Sequence, residues 1–98
     1  TVSSRRFKFD VNGSPYGLAQ VLQMRPVLFR YRPERHNGDA LRVGFVAEDI
    51  APLVPEVIGL DETGQPYNLD YAALVPVLAK AIQELEQRVR VLEALSGK

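Results

Sequence analysis

The last quarter of the chain constrains the fold most. Val75, Leu78, Ile82, Leu85, Val89, Leu92 and Ser96 follow one another at spacings of 3, 4, 3, 4, 3 and 4 residues. That is an a/d heptad seam, with Val75, Ile82 and Val89 at a and Leu78, Leu85 and Leu92 at d. Glu86 and Glu93 fall at e and Arg88 at g, so Arg88 can meet Glu93 of a neighbouring helix. The spacing predicts a helix over residues 71–96, with Pro76 near its start, where a proline is best tolerated. At 1.5 Å per residue its regular part is about 30 Å long. The alternative is an amphipathic helix lying on the chain's own sheet. Taken alone, β-branched a with Leu at d favours two parallel strands.

A chain of 98 residues holds one domain near the size at which a single core gives modest stability. With no cysteine there is no disulfide, no thiolate zinc site and no thiol nucleophile. The apolar runs are a few residues long, too short to span a membrane, and a signal-peptide core is not expected. The net charge of zero gives no global reason to expect nucleic acid. It conceals a segregation. Residues 1–36 carry seven basic side chains against Asp10 and Glu34, a net of +5; residues 37–70 carry seven acids against Arg42, a net of −6. Such blocks attract one another, within a chain or between chains.

Phe7, Phe9 and Val11 alternate with Lys8 and Asp10, which predicts a half-buried strand. Ser14-Pro15 reads as the start of a short helix carrying Leu18, Val21 and Leu22, ended by Arg25-Pro26. Val27, Phe29 and Tyr31 form a second strand, and Pro33 to Asp39 a loop with Asn37-Gly38 at its tip. Leu41 to Ala47 is a third extended run in which Gly44 marks a bulge or a close backbone approach. Glu48 to Leu53 gives at most a turn or two of helix. Val57–Leu60 and Gln65–Leu69 flank a Gly-containing loop as a hairpin, and Asp70 caps the long helix. The fold class is therefore α+β: a small antiparallel sheet, a short helix and a long C-terminal helix.

Five fragments in order resemble one family. Ser3-Ser4-Arg5-Arg6-Phe7-Lys8 is similar to the Ser-Asp-x-Arg-x-Lys opening of the self-cleaving intramolecular chaperone domains at the C-termini of phage tailspikes such as endosialidases. A related domain occurs in the myelin regulatory factor. Leu22 to Tyr31 resembles the family's Leu-x-Pro-Val-x-Phe-x-Tyr strand, and Gly44 to Ile50 its Gly-Phe-Ile-Ala-Gln-Glu-Val element, followed by Val54-Pro55-Glu56-Val57. Leu69 to Pro76 leads into Ala81-Ile82-Gln83-Glu84-Leu85, similar to the family's C-terminal helix.

The resemblance implies a homotrimer, hence a trimeric coiled coil. It implies a chaperone that registers and folds an upstream fibre or β-helix of the same polypeptide, then releases itself by serine-dependent autoproteolysis. The chain divides accordingly into a cleavage segment (1–8), an α+β body (9–70) and a trimerisation helix (71–96). A permanent trimerising or anchoring module without cleavage is the alternative. Ser3 is the implied nucleophile and Lys8 the general base, with Ser4 and Arg6 as possible supporting residues. Positions five apart on an extended chain face opposite sides, so the pair needs a bend or a neighbouring chain. A lysine serves as base only once deprotonated, which burial or nearby cations such as Arg5 and Arg6 favour. Ser4 stands where the family has Asp, which also makes it an alternative nucleophile. Which side of Ser3 is cut is left open.

The implied setting is a virion tail fibre or tailspike precursor made in the host cytoplasm, or a bacterial surface protein. No cofactor or metal is implied, and no nucleic acid or membrane partner. His36 is the only histidine, too little for a Ser-His-Asp triad or a metal site. The acidic run 48–62 lacks calcium-loop spacing and reads as solvated surface. Phe29, Tyr31, Phe45 and Tyr71 read as core rather than as ligand stackers.

Overall fold

The computed structural model describes residues 1–35 and 38–97. His36 and Asn37, and with them the loop tip expected at Asn37-Gly38, lie outside the described residues. The architecture is α+β, with α1 (Leu18–Val21), β1 (Val27–Phe29), β2 (Arg42–Gly44), α2 (Ala47–Ile50), β3 (Ile58–Leu60), β4 (Pro66–Leu69) and α3 (Val75–Ser96). The antiparallel pairing is divided over two two-stranded sheets. In one, Val27 faces Gly44 and Phe29 faces Arg42; in the other, Ile58 faces Leu69 and Leu60 faces Pro66, with a register irregularity at Gly59/Leu60.

The local chemistry explains the boundaries. The Ser14 hydroxyl accepts from the Tyr16 amide, but the regular helix starts three residues later than expected, after Gly17. Gln20 Oε1 accepts from the Gly17 amide at 2.8 Å, and Glu84 Oε1 of α3 accepts from the Leu18 amide at 2.7 Å. These bonds satisfy amides that a helix start leaves without intrahelical partners. A Cβ on Gly17 would stand 2.1 Å from Glu84 Oε1, so a larger residue there would displace the capping carboxylate. Lys80 Nζ donates to the Ser14 carbonyl beside it. Asp70 accepts from the Ala73 amide and opens a 3-10 turn, Tyr71–Leu74, that runs directly into α3. Gly44 is a close approach, as its place in the strand implied: a Cβ there would lie 2.5 Å from Tyr71 Oη and 3.1 Å from a Phe29 ring carbon.

The core is small. Ile50, Val54, Val57, Leu74 and Val77 are buried together, with Tyr16, Val21, Met24, Phe45 and Ile58 among the half-buried side chains packed on them. Along α3 and the turn before it, Leu74, Val77 and Ala81 are the buried residues. They lie on the c and g positions of the heptads, about a quarter turn from the a/d seam at 100° per residue. Helix α3 therefore does lie on its own domain, but by a stripe other than the one the spacing picks out. The seam itself stays uncovered along its whole length, with Ile82 66% exposed.

The expected strand over Phe7–Val11 does not form. Residues 5–7 make a 3-10 turn, Asp10 takes a positive φ of 55°, and Phe9 is 88% exposed. A strand is held by a partner's ladder, and no described segment of this chain pairs with it. All of residues 1–15 are exposed. The result is an extended molecule of 60 × 37 × 23 Å with a Cα radius of gyration of 17.7 Å. A compact domain of this length would have a radius of roughly 13 Å. Its accessible surface is 8173 Å². That exceeds by roughly 2,600 Å² the surface of a compact monomer of the same mass.

Candidate functional site

The Ser3–Lys8 pair meets within one chain. Ser4 is the N-cap of the Arg5–Phe7 turn, its hydroxyl accepting from the Arg6 amide at 3.4 Å. The Phe7 amide donates to the Ser4 carbonyl (3.1 Å) and the Lys8 amide to the Arg5 carbonyl (3.0 Å). This single turn supplies the bend that a five-residue spacing needs, and Lys8 Nζ donates to Ser3 Oγ at 2.9 Å. That contact is within the reach required of a nucleophile and its base. Both side chains are exposed.

Ser4 and Arg6 are placed differently. Arg6 donates a guanidinium N–H to Ser4 Oγ at 3.4 Å, and its guanidinium carbon lies 4.4 Å from the Phe7 ring centre. Ser4 Oγ thus serves the turn that brings Lys8 to Ser3. Serine at the head of a tight turn is a recognisable capping signal, and that signal could have located the bend from the sequence.

Among the described residues, the hydrogen bonds of residues 1–13 stay inside this segment. The six seam residues, Val75, Leu78, Ile82, Leu85, Val89 and Leu92, form the second candidate element, an apolar stripe running the length of α3. Beside the seam, Glu86 at e pairs with Arg90 one turn on, at 2.5 Å. Between α1 and α3 lies an apolar groove of about 300 Å³, lined by Leu18, Val21, Leu22, Leu78, Ala81, Ile82 and Leu85.

An aromatic cleft of about 380 Å³ opens between the two sheets, lined by Phe29, Tyr31, Phe45, Glu48, Tyr67 and Tyr71 among others. Phe45 packs on the core, as expected, but Tyr31 and Tyr71 are exposed. Their order comes from one another and from polar contacts: Phe29 meets Tyr31 edge-on at 5.2 Å, and Tyr71 Oη accepts from the Phe45 amide at 3.0 Å. Between the basic and acidic blocks, Arg30 Nε donates to the Asp39 carbonyl, Arg35 to Tyr67 Oη, and Tyr16 Oη to the Glu56 carboxylate. Among the described residues there is no cluster of three or more metal-ligating side chains, and no helix is long and apolar enough to cross a membrane.

The α+β architecture expected from the sequence is present: two small antiparallel sheets, short helices and a long C-terminal helix. The family model described as chaperone of endosialidase, a peptidase family by its designation, matches residues 3–59, over half of the chain. The chain belongs to this family. The matched residues run from Ser3 into β3, so they include the Ser3–Lys8 turn, while α3 lies beyond them. Comparison with curated proteins and with solved structures found no match.

Proposed function

We propose that this domain is the C-terminal intramolecular chaperone of a fibre or tailspike, which trimerises through α3, folds the chains upstream of it and then cuts itself away at Ser3. The observation that carries this reading is the uncovered seam: α3 spends one stripe on its own core and keeps a second, heptad-spaced stripe exposed. Intertwined fibres nucleate slowly, because segments of separate chains must meet before any contact stabilises them. A clamp at the C-terminus raises the effective concentration of those segments. Releasing it afterwards leaves the fibre held by its unfolding barrier, so its persistence is kinetic.

In the proposed reaction Ser3 Oγ attacks the adjacent carbonyl while Lys8 takes the hydroxyl proton. Collapse of the tetrahedral intermediate breaks the C–N bond, Lys8 returns the proton to the leaving amine, and water hydrolyses the ester. Backbone N–H groups would hold the oxyanion. A lysine gives up its proton more readily when desolvated. In the single chain Ser3 and Lys8 both face water, so this burial has to come from assembly, and cutting waits for it. Charged residues at Ile82 and Leu85 test the coupling: they should abolish cleavage together with the trimer, and full cleavage by a monomer would sink it.

A permanent clamp that never cuts is the second reading, favoured by Ser4 in place of the family's Asp. Intact masses of the chain carrying its natural upstream region separate the two. A mass loss abolished by both Ser3→Ala and Lys8→Ala supports self-cleavage; an uncut wild-type trimer supports the clamp alone.

A further inference from the structure

Of the chain's asparagines, Asn12 and Asn37 are each followed by glycine and Asn68 by Leu69. Asn37 lies outside the described residues, whereas Asn12 is placed. An asparagine carboxamide is open to attack by the main-chain nitrogen of the next residue, which closes a five-membered ring. A side chain crowding that nitrogen, a hydrogen bond engaging its N–H, or secondary structure holding the backbone each prevents this. None of the three acts at Gly13. Residues 11–14 belong to no helix or strand, and Asn12 and Gly13 are both exposed. Among the described residues the Gly13 N–H has no acceptor, and a Cβ built there would meet nothing within 4 Å. The Asn12 carboxamide makes one hydrogen bond, Nδ2 donating to the Asp10 carbonyl at 3.1 Å, which leaves its carbonyl carbon open. Asn68 is the contrast: it stands in β4 opposite Gly59, its Oδ1 against that backbone, and the half-buried Leu69 follows it.

We infer that Asn12-Gly13 is a self-modifying site, which deamidates through a succinimide to aspartate and isoaspartate. The Gly13 nitrogen, having given its proton to solvent base, attacks Asn12 Cγ. The N–Cγ bond forms, the Cγ–Nδ2 bond breaks, and the amide nitrogen leaves as ammonia with a proton from water. A water molecule then opens the ring. Opening at the original side-chain carbonyl restores the main chain with aspartate at position 12. Opening at the original main-chain carbonyl leaves isoaspartate, whose main chain runs through Cβ and Cγ and is one carbon longer. Either product adds a carboxylate to the basic block. The longer one falls between the Ser3–Lys8 turn and Tyr16, which packs on the core. The reaction needs water alone, and neither self-association through α3 nor cleavage at Ser3 enters it.

Peptide mapping of the full domain, incubated folded in mildly alkaline buffer and in parallel unfolded in guanidinium chloride, tests this. Trypsin places Asn12 on the peptide Phe9–Arg30, since Pro26 shields Arg25, and Asn37 on another, so the two Asn-Gly pairs are read separately. The Phe9–Arg30 peptide should convert into two products of equal mass, aspartyl and isoaspartyl. The folded rate should lie within about fivefold of the unfolded one, because a segment that opens at almost no free-energy cost gains no protection. Gly13→Ala crowds the attacking nitrogen and narrows the backbone's freedom, and should slow conversion roughly tenfold with an unchanged circular dichroism spectrum. Protection of Asn12 beyond fivefold in the folded domain, or a Gly13→Ala protein that converts as fast as wild type, overturns the inference.

Discussion

Substitution of the two stripes of α3 should separate folding from assembly. Val77 is 3% exposed and sits in the core cluster, whereas Ile82, five residues on, is 66% exposed in the single chain. Fully burying an aliphatic side chain contributes roughly 1.5–3 kcal/mol. Two thirds of that is still available at Ile82, so docking it adds about 1–2 kcal/mol per chain. In the proposed trimer this is about 3–6 kcal/mol at one position, on the order of a hundred- to ten-thousandfold in the association constant. Ile82→Asp forfeits that and places three carboxylates near one axis, which adds repulsion. The variant should keep the wild-type circular dichroism spectrum and thermal unfolding of a dilute monomer, yet sediment as a monomer at concentrations where wild type is assembled. Val77→Asp buries an unpaired charge in the core and should lose the fold itself. An Ile82→Asp protein that still sediments with the wild-type oligomer would refute the reasoning, because the stripe would then be idle surface.

Ser4→Asp keeps the N-cap and sets a carboxylate against the Arg6 guanidinium that Ser4 Oγ already accepts from, and should raise the rate of self-cleavage followed by gel densitometry, while Ser4→Ala lowers it. Gly44→Ala drives a methyl group to 2.5 Å from Tyr71 Oη and should cost about 1–3 kcal/mol in thermal unfolding. Gly13→Ala, with nothing within 4 Å of its Cβ, should leave the midpoint nearly in place. Asp61 accepts from the Thr63 hydroxyl and from the Thr63 and Gln65 amides in the β3–β4 turn, and these bonds, the hydroxyl foremost, hold its carboxyl below the usual value of 3.8. A depressed carboxyl stabilises the fold above its unfolded pKa and loses that contribution as pH falls through the folded one. The Asp61 carboxyl should therefore titrate below 3.8 by carbon-13 NMR, and Asp61→Asn should remove that acid-side loss in hairpin stability.

What was legible in the sequence follows the range of the interactions. The β3–β4 hairpin, the Asp70 cap and the length of α3 are local consequences of spacing and turn chemistry, and the structure places them where the residues indicated. The Phe7–Val11 strand was misread because alternation reports a face that wants burial without saying whose surface buries it. In this chain it is exposed. The Ser3–Lys8 contact looked difficult on an extended chain and is made easy by a turn that a capping serine announces. The heptad spacing identified the seam but hid the stripe of Leu74, Val77 and Ala81, since the two apolar faces overlap in the helical pattern. Glu84's cap on α1 spans 66 residues, and no local rule connects them.

The central claim is that assembly licenses a cut made by Ser3 and Lys8, and the intact mass of the domain purified with its upstream region tests it most directly. The account predicts that the wild-type oligomer yields two fragments whose masses meet at Ser3, while Ser3→Ala, Lys8→Ala and the monomeric Ile82→Asp each yield one uncut chain. An uncut wild-type oligomer, or a cut that persists in any of the three variants, would contradict it.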